Sequence, residues 1–225
     1  MTPALIDHLV VGADSLDHGV QWCEATLGVT PGPGGKHPLM GTHNRVLRMA
    51  TQAFPRAYLE IIAIDPDAAP AGRKRWFDLD DASLAQRVRQ QPRLVHFVAR
   101  TDDAVAACKA LQQLGVDRGE LLHAERPTAG GLLRWCISVR PDGQRLFYGG
   151  LPTLIEWQSR HPADAMPESG VALQSLRVCH PRAAALQTAF AAIGLQGVAL
   201  HEGPPNLEAT LSCPKGVVTL QSEGS

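Results

Sequence analysis

Three segments of the chain repeat one order of apolar and polar positions. Each begins with a short apolar strand, passes through a polar break and continues as an amphipathic helix that ends at Gly28, Gly115 or Gly194. The segments are LIDHLVVGADSLDHGVQWCEATLGV, RLVHFVARTDDAVAACKALQQLGV and LQSLRVCHPRAAALQTAFAAIGLQ. Ser15 or Asp14, and Thr101 or Asp102, suit the start of a helix, and the closing glycine supplies the left-handed residue after its end. The pattern therefore predicts three copies of a strand–helix unit.

Strand-like stretches follow each helix. They cover residues 43–50 and 57–64 in the first unit, 132–139, 144–148 and 153–158 in the second, and 197–202, 207–213 and 216–222 in the third. We expect Asp142-Gly143 to form a hairpin turn in the second unit. Each unit is therefore predicted to contain a strand, a helix and then two or three antiparallel strands. The three units span 1–65, 92–158 and 172–222.

Proline-rich polar connectors separate the units. They occupy residues 65–93 and 159–171, and the first of them contains a short helical pattern at 84–89. A third proline- and glycine-rich stretch, PGPGGKHPLMG, covers residues 31–41. Its prolines lack N–H donors, so it predicts a mobile loop over the mouth of a site and not a phosphate-binding turn.

Composition narrows the class of protein. The 225 residues carry a formal net charge of -1 and include 5% aromatic residues, which disfavours a nucleic-acid binder. No apolar run is long enough to span a membrane, and we find no secretory signal pattern. The five cysteines are scattered and form no C-x-x-C pair, as is typical of reduced thiols in the cytoplasm. We therefore expect a soluble cytoplasmic protein.

Two histidines and two glutamates interrupt apolar strands at matching places. His8 in LIDHLVV matches His96 in RLVHFV, and Glu60 in YLEII matches Glu156 in LIEWQ. Alone, each glutamate is typical of a solvated strand edge and each histidine of a hydrogen-bonded core group. Four such groups buried together need a compensating cation, and two imidazoles with two carboxylates suit a divalent ion. The repeat therefore predicts a metal site formed by His8, Glu60, His96 and Glu156.

These units resemble the vicinal oxygen chelate superfamily, in particular its glyoxalase-like branch. The resemblance covers residues 4–158 and rests on DHLVV and VHFVA at the openings, YLEIIAI and LIEWQ at the closings, and GTHNRVLRM before the first closing strand. It implies an α+β fold in which repeated βαβββ modules form a curled, cup-shaped, mostly antiparallel sheet with helices outside and a metal on the floor. The resemblance also implies that His8, Glu60, His96 and Glu156 are the metal ligands. The third unit looks like a degenerate further copy, and we expect it to cover a sheet edge or to form a homodimer contact.

Strand alternation adds candidates for substrate binding. In NRVLRMA, Asn44 and Arg48 fall on the face expected to point into the cup. In LLRWCISV, the alternate residues from Leu133 to Val139 are apolar and should pack under helices, which directs Arg134 into the cup. The two arginines would hold an anionic group of the substrate, or they form surface ion pairs at the rim.

Several reactions remain open, because the superfamily contains isomerising lyases, epimerases, dioxygenases and binding proteins. In a glyoxalase-type lyase or isomerase, a divalent ion (Ni, Zn, Co, Mn or Fe(II)) would bind two vicinal substrate oxygens and stabilise an enediolate-like state. Glu60 or Glu156 would then leave the ion and act as general base. The alternatives are an Fe(II) enzyme of the extradiol-dioxygenase type and a protein that binds or sequesters a small molecule in the same cup.

Overall fold

The computed structural model of the protein describes residues 3–128 and 131–224. Its strands and helices follow in the order β1 (Leu5–Gly12), α1 (Leu16–Leu27), β2 (Gly32–His37), β3 (Thr42–Arg48), β4 (Tyr58–Ile64), α2 (Ala82–Gln90), β5 (Arg93–Arg100), α3 (Ala104–Gln113), β6 (Glu120–Thr128), β7 (Gly131–Val139), β8 (Thr153–Trp157), β9 (Ala172–Cys179), α4 (Ala183–Ala192), β10 (Val198–His201), β11 (Asn206–Cys213) and β12 (Gly216–Gln221). Short 3-10 turns cover Phe147–Gly149 and Pro162–Asp164. Within the described residues, no helix is long and apolar enough to cross a membrane.

The helix ends follow the capping chemistry that the sequence predicts. The Ser15 hydroxyl accepts a hydrogen bond from the His18 N–H at 3.2 Å and begins α1, and Gly28 ends it with φ 77° in the left-handed region. Asp81 begins α2 in the same way, and Asp103 begins α3, so the predicted start at Thr101 or Asp102 is wrong by one or two residues. The helices predicted in the first two units and in the first connector are therefore confirmed.

Strands β1 to β8 form one sheet in the order β2-β3-β4-β1-β5-β8-β7-β6. Its two halves are βαβββ modules with the same internal order, and the antiparallel pair β1·β5 joins them. In each half the first strand runs parallel to the last, as β1·β4 and β5·β8, and the other pairs are antiparallel. The predicted mostly antiparallel sheet of two modules is therefore confirmed.

The two faces of this sheet pack into different cores. Leu9 belongs to an outer core that also contains side chains of α1 and α3, whereas Val10, its neighbour in β1, belongs to an inner core. The inner face is concave: the sheet curls until Arg126 of the edge strand β6 lies against Gly35 of the opposite edge strand β2. A Cβ atom on Gly35 would lie 1.7 Å from Arg126 Nη1. The concave face therefore forms the expected cup, nearly closed at its mouth.

The third unit keeps the order strand, helix and three strands but pairs its strands differently. Its sheet has the order β10-β9-β11-β12, with β10 parallel to β9. Strands β11 and β12 contact β5 in the middle of the large sheet, and Leu207 and Leu211 of β11 join the outer core. The expectation that this unit covers a sheet edge is wrong, because the edges are β2 and β6 and the unit packs on the outer face.

Three local predictions need correction. The stretch expected to be a loop over the mouth contains the edge strand β2, whose hydrogen bonds to β3 need no apolar alternation. Residues 144–148 are not a strand, since Phe147 and Tyr148 take positive φ angles, so Asp142-Gly143 is not a hairpin turn. Strand β6, which was not predicted from the sequence, pairs instead with β7, and residues 129–130 between them lie outside the described residues.

Candidate functional site

A β-bulge in β1 directs two ionisable side chains to one place. The register of β1 against β5 shifts between Ile6 and His8, which leaves Asp7 as the extra residue. Bulges of this kind re-aim side chains and are common beside active sites. Asp7 Oδ1 accepts a hydrogen bond from His8 Nδ1 at 2.7 Å, and both residues are buried. The bulge thus explains how an acid and an imidazole meet inside an apolar strand.

Asp7 is bound by three donors. Besides His8, its Oδ2 atom accepts hydrogen bonds from His161 Nε2 and Trp157 Nε1, each at 2.9 Å. Burial alone would raise the pKa of Asp7, but the hydrogen bonds from His161 and His8 lower this pKa well below its usual value. Asp7 is therefore a charged group that fixes the position of His8.

The opposite nitrogen of His8 faces Glu60. His8 Nε2 lies 3.5 Å from Glu60 Oε2, and the Tyr58 ring stacks on the imidazole with 4.6 Å between ring centroids. Burial opposes both charges, yet hydrogen bonding to Asp7 and Glu60 raises the pKa of His8 to about 9. Hydrogen bonding and charge from His8 likewise lower the pKa of Glu60 to about 2, against the effect of burial. The pair is therefore an imidazolium beside a carboxylate.

Asn44 holds the other oxygen of Glu60. Its Nδ2 donates to Glu60 Oε1 at 2.5 Å, and its Oδ1 accepts from the Gly35 N–H at 2.7 Å. His37 Nε2 lies 3.4 Å from the same Asn44 nitrogen, and burial lowers the pKa of His37 to about 4. The structure therefore places Asn44 in the cup beside a neutral His37.

Aromatic side chains wall the space above Glu60. The cavity has a volume of about 40 Å³, room for a few water molecules, and its lining includes Tyr58, Trp76, Phe77, Trp135 and Trp157. A second cavity of about 230 Å³ adjoins it and shares His37, Trp76, Trp135 and Ile137 with it. The site is therefore a polar floor under apolar walls, a common arrangement for small-molecule sites.

His96 lies on the same face of the sheet but makes other bonds. Val10 and His96 are cross-strand partners, so His96 shares a face with His8 and Glu60. Its Nδ1 donates to the Gly149 carbonyl at 3.1 Å, and its Nε2 accepts from the Thr153 N–H at 3.1 Å. Burial lowers the pKa of His96 well below its usual value. Both ring nitrogens of this neutral imidazole are therefore occupied.

Glu156 points away from the cup. In the first module, Val10 follows His8 by two residues and pairs with Glu60. In the second module, Val98 follows His96 by two residues and pairs with Thr153. Thr153 therefore occupies the place of Glu60 in the second module, and Glu156 lies three residues further along β8. An odd shift puts a strand residue on the other face of the sheet. There Glu156 Oε2 accepts a hydrogen bond from the Ala104 N–H, at 2.9 Å, in the first turn of α3.

Replacing Glu156 with Ala is expected to cost about 1 kcal/mol of unfolding free energy, because α3 loses an acceptor at its N-terminus. Glu156→Gln, which keeps an oxygen there, should lose less. Urea unfolding measures both changes. Neither variant should alter ligand binding in the cup, and loss of binding in Glu156→Gln would contradict this assignment.

The two predicted substrate arginines are not in the cavity wall. Arg48 donates to the Ala163 carbonyl at 3.0 Å and pairs with Glu168 at 3.2 Å. Arg134 is exposed and pairs with Glu125 at 3.0 Å across the β6–β7 hairpin. The prediction for the faces of β7 is wrong, because the cup wall is apolar and takes the apolar residues of that strand, Leu133 among them.

The four predicted metal ligands do not converge. His96 uses its lone pair on Thr153, Glu156 lies on the other face, and only His8 and Glu60 meet. Among the described residues, no group of three His, Cys, Asp or Glu side chains is arranged to hold an ion. The donor set therefore does not fit the expected ion, and protonated His8 supplies the positive charge beside Glu60.

Sequence reasoning did not identify Asp7, His161, Trp76 or Arg126 as residues of the site. Asp7 was visible as a charge within an apolar strand, but nothing in the sequence indicated the bulge. His161 lies in a connector, and its contact with Asp7 spans 154 positions. Long-range pairings of this kind leave no periodic signal in one sequence.

Comparison with known families and structures agrees with the fold. The family model described as Glyoxalase-like domain matches residues 6–194. A search of curated proteins gave no match. The crystal structure of a hypothetical protein from Staphylococcus aureus is similar with a TM-score of 0.61 and 14% sequence identity, over 89% of this chain and 86% of that chain.

Methylmalonyl-CoA epimerases show a weaker similarity. A variant from Streptomyces coelicolor, in complex with 2-nitronate-propionyl-CoA, has a TM-score of 0.43 and 19% identity, over 71% of this chain and 100% of that chain. The enzyme from Mycobacterium tuberculosis has a TM-score of 0.39 and 17% identity, over 68% and 85%. The fold is therefore one that the Staphylococcus aureus protein shares along most of its length.

Proposed function

We propose that this protein, which belongs to the glyoxalase-like domain family, is an isomerase or lyase. It would move a proton on a small molecule with vicinal oxygens. One observation carries the proposal. His8 and Glu60 lie 3.5 Å apart on the floor of an aromatic-walled cavity, and their other atoms are held by Asp7 and Asn44. A buried acid and base held in this way can transfer protons to and from a bound molecule.

The proposed step uses these two side chains in turn. Glu60 accepts a proton from a hydroxyl-bearing carbon next to a carbonyl, the electron pair of that C–H bond forms the carbon–carbon double bond of an enediol, and His8 gives its Nε2 proton to the carbonyl oxygen. Glu60 then returns its proton to the former carbonyl carbon, while the proton of the original hydroxyl passes to His8. No oxidant or reductant is consumed. General acid–base catalysis of this kind contributes about 10²- to 10⁴-fold.

Metal dependence enters as one arm of the test. The proposed step uses no ion, because the four predicted ligands do not come together in the described part of the chain. A divalent ion bound at the site would supply Lewis-acid chemistry, by polarising a substrate carbonyl. Protein stripped with a chelator should therefore be compared with protein that is reloaded with Ni, Zn, Co, Mn or Fe(II).

Hydrogen–deuterium exchange at carbon tests the proposal. Purified protein in D₂O is incubated with hemithioacetals, 2-oxo thioesters, 2-hydroxy acids and catechols, and NMR follows the C–H signals. We expect exchange in at least one of these classes, with and without the chelator. Exchange that returns only with metal would contradict the metal-free step. Binding without exchange would favour the sequestering alternative, and Fe(II)-dependent catechol cleavage would favour the dioxygenase.

A further inference from the structure

Arg126 brings an unpaired guanidinium group to the mouth of the cup. It lies in the edge strand β6 and lines the cavity that contains Glu60. Its Nε and Nη1 atoms are buried and make no hydrogen bond within the described part of the chain. The side chain as a whole is half-buried, and each buried N–H group that lacks an acceptor costs about 1–3 kcal/mol. These two N–H groups therefore have no acceptor in the described part of the chain and are open to one from a bound molecule.

The nearby acids are bound by other groups. Glu60 is held by His8 and Asn44, and Asp7 by His8, His161 and Trp157. Glu125, next to Arg126 in sequence, pairs with Arg134 on the outside of the hairpin. No ion pair within 4.0 Å is found for Arg126 in the described ranges; Arg118 has none either, but its Nη2 donates to Thr153 at 2.7 Å. The guanidinium is therefore available to a ligand.

Gly35 leaves room for the guanidinium beside strand β2. A Cβ at position 35 would stand 1.7 Å from Arg126 Nη1, so only a glycine leaves room for the group at this place. The same residue donates its N–H to Asn44, which holds Glu60. Arg126 therefore lines the same cavity as the acid–base pair, His37 and Tyr58.

We propose that Arg126 binds the carboxylate of the substrate, and that the substrate is a carboxylic acid with an apolar body. Guanidinium N–H groups match the two oxygens of a carboxylate, and Nε with one Nη can form two parallel hydrogen bonds. The apolar body would extend into the adjoining cavity of about 230 Å³, which Pro38, Leu39, Met40 and Leu122 line. This inference rests on the proposed function, because it names the substrate class of the same site.

Mandelate and mandelamide form a matched pair of probes. They share a phenyl ring and a 2-hydroxyl group and differ in the charge of the carboxyl group. Trp76, Trp135 and Trp157 line the two cavities, so intrinsic fluorescence reports binding. We expect the parent protein to bind mandelate about tenfold to a hundredfold more tightly than mandelamide, as for hydrogen bonds to a charged group.

Two variants test the role of Arg126, and one is their control. Arg126→Gln removes the charge and should abolish the preference for mandelate with little change in mandelamide binding. Gly35→Ala keeps the charge but displaces the guanidinium, and it should reduce the same preference. Arg134→Gln changes an exposed arginine on the same hairpin, paired with Glu125, and should keep the preference.

The outcomes separate this inference from the proposed function. The inference is overturned if the parent shows no preference, if mandelate binds more weakly than about 10 mM, or if Arg126→Gln weakens both probes equally. If only Arg134→Gln loses the preference for mandelate, Arg134 and not Arg126 binds the substrate carboxylate. If the protein prefers mandelate but catalyses no C–H exchange, the role of Arg126 stands and the acid–base step is contradicted. If it catalyses exchange but shows no preference for mandelate, the acid–base step stands and the role of Arg126 is contradicted.

Discussion

Replacing Glu60 with Gln is expected to lower the rate of C–H exchange by about 10²- to 10⁴-fold, the contribution of a positioned general base. Gln keeps an oxygen that can accept from the Asn44 amide, so the local geometry changes little. It has no carboxylate to receive a proton. The expected result is therefore a loss in the rate constant with mandelate binding retained, measured by NMR exchange and by tryptophan fluorescence.

Glu156→Gln is the matched control for this experiment. The two glutamates were indistinguishable in the sequence pattern, yet Glu156 binds the start of α3 on the other face of the sheet. We expect its exchange rate to equal that of the parent. Equal losses in both variants would mean that the rate reports general destabilisation. A rate that is unchanged in Glu60→Gln would remove Glu60 from the mechanism.

The fold could be predicted where alternation and helix caps were strong. The strands β1, β4 and β5 are apolar runs, and the helices that follow β1 and β5 begin at Ser15 and Asp103. Strand β2, GPGGKH, has no apolar alternation and is held by its pairing with β3. Strand β6 is mostly polar and lies at the other edge, so its residues show no alternation that would predict a strand. Edge strands half exposed to solvent are the elements that periodicity describes least well.

The site could be predicted in its first module only. His8 and Glu60 are polar residues on the inner face of β1 and β4, and both meet in the cup. In the second module the match of Glu156 to Glu60 was off by three positions, and an odd error reverses the face. The apolar residues of β7 were expected to pack under helices, whereas they line the cup and Arg134 is exposed. Arg126 was missed because strand β6 was not predicted. Strand faces follow burial, and a concave apolar site buries both sides of the sheet.

Replacing Asp7 with Asn is expected to cause the largest loss of stability among these variants, about 3–5 kcal/mol. The carboxylate is fully buried and accepts hydrogen bonds from His8, His161 and Trp157. Its removal leaves a buried imidazolium beside a neutral amide. Because 1 kcal/mol shifts the Tm of a protein of this size by about 2–4 °C, the Tm should fall by roughly 10 °C.

Asp14→Asn is the control for this substitution. Asp14 Oδ1 and His18 Nδ1 form the same kind of contact at 2.6 Å, but both side chains are about one-third exposed. Exposed ion pairs contribute about 0–1 kcal/mol. Equal losses in Asp7→Asn and Asp14→Asn would show that burial of the Asp7 network adds nothing to its strength.

The pH dependence of this stability difference follows from the two pKa shifts. The pKa of Asp7 is lowered in the folded protein, so its contribution is present above its usual value of 3.8 and is lost as the pH falls below it. The pKa of His8 is raised to about 9, so its contribution is complete below 6.5 and is lost as the pH rises through 9. The difference in unfolding free energy between the parent and Asp7→Asn should therefore be largest between about pH 4 and pH 6.5 and should shrink towards pH 9. His37, whose pKa is lowered to about 4, destabilises both proteins below pH 6.5 and cancels in the difference. A difference that grows between pH 6.5 and pH 9 would mean that His8 is neutral when Asp7 holds it.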